Sequence, residues 1–158
     1  MNILCVNGSA KLLSLFQGIS NVIMAQVFSE DKNCIFIIEK DTHTAYLLDY
    51  LLSREGYKVV IASNCESALL LMRKMLSPCM IFLGLQLSIE NNHAILRRIR
   101  GMPGWLTTPV VLLAENYAYQ KIDGALESGA NDYIMLPFNP AELFTHIHRR
   151  DSNPPLKQ

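Results

Sequence analysis

The sequence lacks an excess of either charge: Lys+Arg 14 balances Asp+Glu 14 over 158 residues. That balance removes the electrostatic reason to expect nucleic acid or an anionic membrane as a partner. It lacks any uninterrupted apolar run approaching the roughly 20 residues of a membrane span. Its amino terminus offers only Lys11 as a positive charge and no clean apolar core before a small-residue cleavage site, so no signal peptide is expected. Cys5, Cys34, Cys65 and Cys79 are scattered without a C-x-x-C. They read as reduced thiols of a cytoplasmic protein, not as a disulfide framework or zinc site. Cys65 falls near an expected helix start, where a thiol can gain reactivity. No strand-to-helix turn carries a glycine-rich phosphate cradle. The histidines form no constellation: His146 and His148 are two apart on a helix and diverge, His43 follows a cap, and His93 opens a helix. Each reads as a surface residue.

What is present is alternation. Half the residues are hydrophobic, enough for a sizeable core in one domain. From Cys34 onward short apolar runs alternate with helical patterns. The runs at 34–38, 57–62, 80–83, 109–113 and 133–135 have strand length. Asp41 caps a first helix that stops at Gly56, and Asn64 caps a second reaching about Leu76. A third spans 91–100, with Ile95, Leu96 and Ile99 inward and Arg97, Arg98 and Arg100 outward. A fourth runs 117–127. The last opens on Asn139-Pro140-Ala141-Glu142, with cap, first-turn proline and capping glutamate in order. Strands apolar on both faces, joined by helical crossovers, describe a doubly wound α/β sandwich: a flavodoxin-like (βα)5 fold on a five-stranded parallel sheet. Ligands in such sheets sit at the carboxyl ends of the strands, here after Ile38, Leu83, Leu113 and Met135. Residues 1–32 are an N-terminal extension, helical or partly disordered, with helical spacing at Leu12, Leu15, Phe16, Ile19 and Ile23. Residues 33–150 are the domain, and 151–158 a loose polar tail.

Three stretches carry a family likeness: Arg54-Glu55-Gly56-Tyr57, Ala62-Ser63-Asn64, and Ala125-Leu126-Glu127-Ser128-Gly129-Ala130-Asn131-Asp132-Tyr133 running on to Pro137-Phe138. Over residues 33–150 the chain resembles bacterial response-regulator receiver domains. The resemblance implies a module that takes phosphate from a histidine kinase onto an aspartate after strand three. An acidic pair after strand one helps hold Mg²⁺, which neutralises the transferred group. A Ser/Thr after strand four and a lysine after strand five bind the phosphoryl oxygens. At those positions this chain has Glu39-Lys40 for the acidic pair, Gly84 for the acceptor, Ala114 for the Ser/Thr and Leu136 for the lysine. Ser88 stands for the family's proline, and Asn91-Asn92 for its Asp-Gly. Glycine offers no nucleophile and leucine no donor. Lys40 either pairs with Glu39 as a built-in cation or snorkels to solvent.

The reading that follows is a pseudo-receiver. It is not an enzyme, holds no cofactor or metal, and signals through protein partners. The expected contact face is helix four, strand five and helix five, including Tyr117, Tyr119, Tyr133, Phe144 and His148, a face that also suits a homodimer. The alternatives are a flavodoxin-like protein binding nucleotide or flavin, and the receiver fragment of a larger transcription regulator.

Overall fold

A computed structural model describes residues 31–86, 89–116 and 118–152. Five strands, β1 (Asp31–Ile38), β2 (Lys58–Ala62), β3 (Pro78–Gly84), β4 (Val110–Glu115) and β5 (Asp132–Leu136), alternate with five helices. These are α1 (Thr42–Arg54), α2 (Cys65–Met72), α3 (Ile89–Gly101), α4 (Tyr119–Glu127) and α5 (Pro140–Ser152). All pairings are parallel, in the order β2-β1-β3-β4-β5. The winding direction reverses between β1 and β3, the place where an open parallel sheet leaves a crevice.

The apolar runs become strands because both faces of the sheet are covered. One face packs Phe36, Ile81, Leu83 and Leu112 under α2, α3 and α4, through Met72, Ile95, Ile99 and Ile122. The other packs Ile35, Ile37, Phe82 and Ile134 under α1 and α5, through Leu48, Leu52, Leu143 and Ile147. Every residue of β3 is buried, so its sequence shows no alternation. Burying one such side chain is worth about 1.5–3 kcal/mol, and this two-layer core is the main source of stability.

The caps are where the residue types place them. Asp41 accepts from the Thr44 amide at 2.9 Å and the Thr44 hydroxyl at 2.7 Å. Asn64 caps α2 in a reciprocal box with Ser67. Asn139 accepts from the Ala141 amide at 2.9 Å. Gly56 ends the first helix at φ 89°, a conformation glycine adopts without strain. Several boundaries differ from expectation. Helix α2 stops at Met72, short of Leu76, because the chain tightens as the Lys74 amide bonds back to Leu71 and then runs extended into Pro78. Helix α4 begins at Tyr119, and its cap position is Ala118, which has no side-chain acceptor to mark it. Strand β1 begins at Asp31, so the domain takes in two residues assigned to the extension, whose residues 1–30 lie outside the described part.

Arg100 reverses an expectation. It was read as an outward residue of the third helix, yet it is half-buried at the amino-terminal end of the sheet. Its guanidinium donates to the carbonyls of Gly129 (2.6 and 2.9 Å), Thr108 (2.7 Å) and Leu106 (3.1 Å), and to Asn131 Oδ1 (2.8 Å). In the last turn of a helix a long side chain reaches past the helix end, so the angle of its Cα around the axis no longer decides where its head lies.

Candidate functional site

Strands β1, β3, β4 and β5 deliver Glu39, Gly84, Ala114 and Leu136 to the carboxyl rim of the sheet. Register explains why they meet: β1 and β3 pair Ile38 with Leu83, and β4 and β5 pair Glu115 with Leu136. Glu39 follows Ile38 and Gly84 follows Leu83, so the two face each other across the switch point.

Their contact is the centre of the site. Glu39 is only 2 % exposed. Its Oε1 accepts from the Asp41 amide at 2.8 Å. Its Oε2 is buried and accepts no hydrogen bond from the described residues. The carboxyl lies directly over Gly84: a Cβ there would stand 2.2 Å from Oε2 and 2.7 Å from Cδ. Glycine is therefore what makes room for Glu39. Burial pushes the Glu39 carboxyl above its ordinary value, more than the amides of Asp41 and Lys40 pull it down, and the Asp41 and Glu115 carboxylates raise it further. Asp41 moves the other way, held low by its bonds from Thr44.

The remaining positions complete the picture. Lys40 is exposed and makes no ion pair with Glu39, so of the two arrangements considered it takes the solvated one. Ala114 is fully buried, and Leu136 is half-buried against the α1/α5 core. Beside them opens a cleft of about 700 Å³, lined in part by Asp41, Leu47, Gln86, Glu115, Leu136 and Phe138. Gln86 donates to Glu115 across its mouth. These residues do not fit Mg²⁺. A hard dication takes several oxygens, and here one carboxylate oxygen already holds the Asp41 amide, a lysine follows it and a glycine faces it. No cluster of three His, Cys, Asp or Glu suited to a metal occurs among the described residues.

The expected contact face is only partly assembled. Tyr119 is 64 % exposed and Tyr133 40 %. Ile134 packs under α1 and α5, so Tyr133 and Met135 alternate toward the α4 side, which places both tyrosines on one side of the sheet. Phe144 does not join them: it is half-buried against the opposite core layer. His148 is exposed on α5, and Tyr117 lies outside the described residues.

Other expectations change. His146 is not a free surface residue, because its Nδ1 lies 2.9 Å from Asp132 Oδ2 with the ring only 10 % exposed. His93 is half-buried and bonded to the Ser128 hydroxyl. Cys65 does open α2, but burial pushes its thiol up, the reverse of activation. Among the described residues, Cys34, Cys65 and Cys79 form no disulfide. The sequence reading missed the exposed Tyr46, Leu47 and Tyr50 of α1, for which tyrosines at i and i+4 were the available signal. No helix of the described residues is long and apolar enough to cross a membrane.

Known proteins resemble this chain in sequence and fold. Over 116 residues the chain is 32 % identical to the DNA-binding response regulator MtrA of Mycolicibacterium paratuberculosis, covering 73 % of this chain and 50 % of that protein. It thus spans about half the length of that relative. It is 30 % identical over 115 residues to an uncharacterised 14.6 kDa protein from the sodA1 3′ region of Leptolyngbya boryana, covering 73 % of this chain and 87 % of the other. The crystal structure of the signal receiver domain of a histidine kinase from Syntrophus aciditrophicus superposes with a TM-score of 0.67 at 25 % identity, over 80 % of this chain and 95 % of that one. Residues 35–148 match the profile of the response regulator receiver domain. With five parallel strands in receiver order and this match along most of its length, the chain belongs to the response regulator receiver domain family of two-component signalling.

Proposed function

We propose that this receiver domain signals by protein–protein contact without aspartyl phosphorylation. The observation that carries the reading is the Glu39–Gly84 contact. The position that would supply the nucleophile has no side chain, and the space a nucleophile would fill is taken by a buried carboxyl. The rest of the pocket agrees. Leu136 and Ala114 give a phosphoryl group nothing to bond, and the donors at the rim do not suit the cation that would neutralise it. The α4–β5 surface, with Tyr119 and Tyr133 exposed, is the contact face, for a signalling partner or a second copy. The test is incubation with acetyl phosphate and Mg²⁺ followed by intact-mass measurement. No added phosphoryl is expected, and an acid-labile adduct on the folded protein would overturn the reading.

A second reading rests on the length of the mycobacterial relative, named a DNA-binding response regulator, half of which this chain covers. The chain would then be the receiver part of such a regulator. DNA contact would belong to the other part, since this sequence carries no net positive charge.

A further inference from the structure

Helices α2, α3 and α4 cover one face of the sheet, with α3 between the other two. A groove of about 390 Å³ opens between α2 and α3. Leu69 of α2 and Ala94 and Ile95 of α3 give it an apolar floor. About one turn further along each helix stand Arg73 and Arg98, and both line the same groove. Both are exposed, and among the described residues neither guanidinium enters an ion pair or a hydrogen bond. Lys74 and Arg97 beside them are exposed too. Among the described residues no carboxylate lines the groove, so its charge is unbalanced.

Helix α4 carries the converse. Tyr119, Asp123 and Glu127 recur at i, i+4 and i+8, a stripe about 12 Å long. All three are exposed. Among the described residues neither carboxylate enters an ion pair or a hydrogen bond. Lys121, two residues from Tyr119, lies off the stripe. Stripe and groove share a spacing: each has an apolar level and, one turn on, a charged one, and the charges are opposite. With the helices running in the same sense, Tyr119 on Leu69 and Ile95 brings Asp123 level with Arg73 and Arg98, and Glu127 approaches from the next turn. In the opposite sense the carboxylates would fall beside Cys65 and Asn91, which offer no positive charge.

One molecule cannot make this contact with itself. Helix α3 separates α4 from the groove, and the flank of α4 that meets α3 is a different one, where Gly124 lies against the His93 ring and Ser128 bonds to it. A second copy supplies both surfaces. The chain has no net charge, so copies do not repel one another, a balance that favours association.

We propose that the Tyr119–Asp123–Glu127 stripe of one molecule seats in the α2–α3 groove of the next, Tyr119 on the apolar floor and the two carboxylates on Arg73 and Arg98. The inference rests on the reading of the α4–β5 surface as a contact face and names what that face meets; it does not depend on Gly84. Groove and stripe are different surfaces, so the contact is head-to-tail and leaves each molecule able to take another.

The contact is small, so sedimentation velocity on the full chain is run from roughly 10 µM to 1 mM. The average mass is expected to rise with concentration past that of a dimer and to fall when salt is added. Arg73→Glu/Arg98→Glu reverses the groove charge and Asp123→Asn/Glu127→Gln removes the stripe charge, all at exposed positions. Each variant alone should associate at least about tenfold more weakly. Mixed in equal amounts, they should recover the contact and stop at the dimer, because each pair holds one intact groove and one intact stripe. A wild type that stays monomeric throughout overturns the proposal. So do variants that associate as the wild type does, or a mixture no stronger than its components. Association lost in Tyr133→Ala but kept in Arg73→Glu/Arg98→Glu overturns it as well; that result pairs the α4–β5 surface with its own counterpart and leaves the contact-face reading standing.

Discussion

Gly84→Ala adds one methyl group at the most crowded point of the site. Its Cβ would stand 2.2 Å from Glu39 Oε2, 2.7 Å from Cδ and 3.0 Å from Oε1. To restore ordinary contact the carboxyl must withdraw by roughly 1 Å or more, which breaks its bond from the Asp41 amide at 2.8 Å. A hydrogen bond to a charged group is worth about 1.5–3 kcal/mol. Against this, the displaced carboxylate regains water, and alanine in a strand gains about 0.5–1 kcal/mol over glycine. The expected net cost of Gly84→Ala is therefore about 1–2 kcal/mol. In a Glu39→Ala background the obstacle is gone, and the same substitution becomes neutral or stabilising by up to about 1 kcal/mol. Urea unfolding of the four proteins at pH 7 gives the double-mutant cycle, with an expected coupling of about 2 kcal/mol between positions 39 and 84. If the two single effects add to within about 0.5 kcal/mol, Glu39 does not occupy the space above Gly84, and the reasoning that joins them fails.

Glu39→Gln keeps the shape and removes the charge. Because burial raises the folded pKa of Glu39, the folded state retains a proton that the unfolded state has released, and wild-type stability falls as pH rises from the ordinary glutamate range through the raised value. The stability advantage of the Gln variant should grow across that window and level off above it; a difference that does not vary with pH refutes the assignment. Gly84→Asp meets the same obstacle as Gly84→Ala and still lacks the phosphoryl-binding groups. Beryllium fluoride with Mg²⁺ should leave the amide shifts around Tyr133 and α4 unchanged in it, and widespread shifts there would contradict the reading. Only with Lys40→Asp, Ala114→Thr and Leu136→Lys added is a response expected. Arg100→Met leaves the carbonyls of Gly129, Thr108 and Leu106 without their donor and should cost about 2–4 kcal/mol in denaturant unfolding; a loss below about 0.5 kcal/mol would show that these bonds contribute little.

The layers of this fold are legible in the sequence because each is written locally. Apolar runs of strand length, side-chain caps at Asp41, Asn64 and Asn139, and Gly56 at a helix end all act within a few residues of where they stand. Helix α4 shows the converse: Ala118 carries no cap, and its start was misplaced by two residues. The positions that meet at the rim, Glu39, Gly84, Ala114 and Leu136, were singled out through the family likeness, but the contact between Glu39 and Gly84 was not. It joins residues 45 apart through strand register, and no local pattern says that a glycine is the floor beneath a glutamate. Arg100 was misread because helical periodicity assigns a Cα to a face, whereas a long side chain in a last turn bonds wherever unsatisfied carbonyls lie. Phe144 looked like a surface aromatic from its place on α5, and the sheet claimed it for the core.

The Arg100 cluster divides the labour of the domain between its two ends. One guanidinium joins the end of α3, the loop before β4 and the turn before β5, all on the side of the sheet away from Glu39, Gly84 and Leu136. A charge exchanged at the rim therefore loosens none of the knots that hold the strands in register. Side chains at the rim can change while the floor stays as it was.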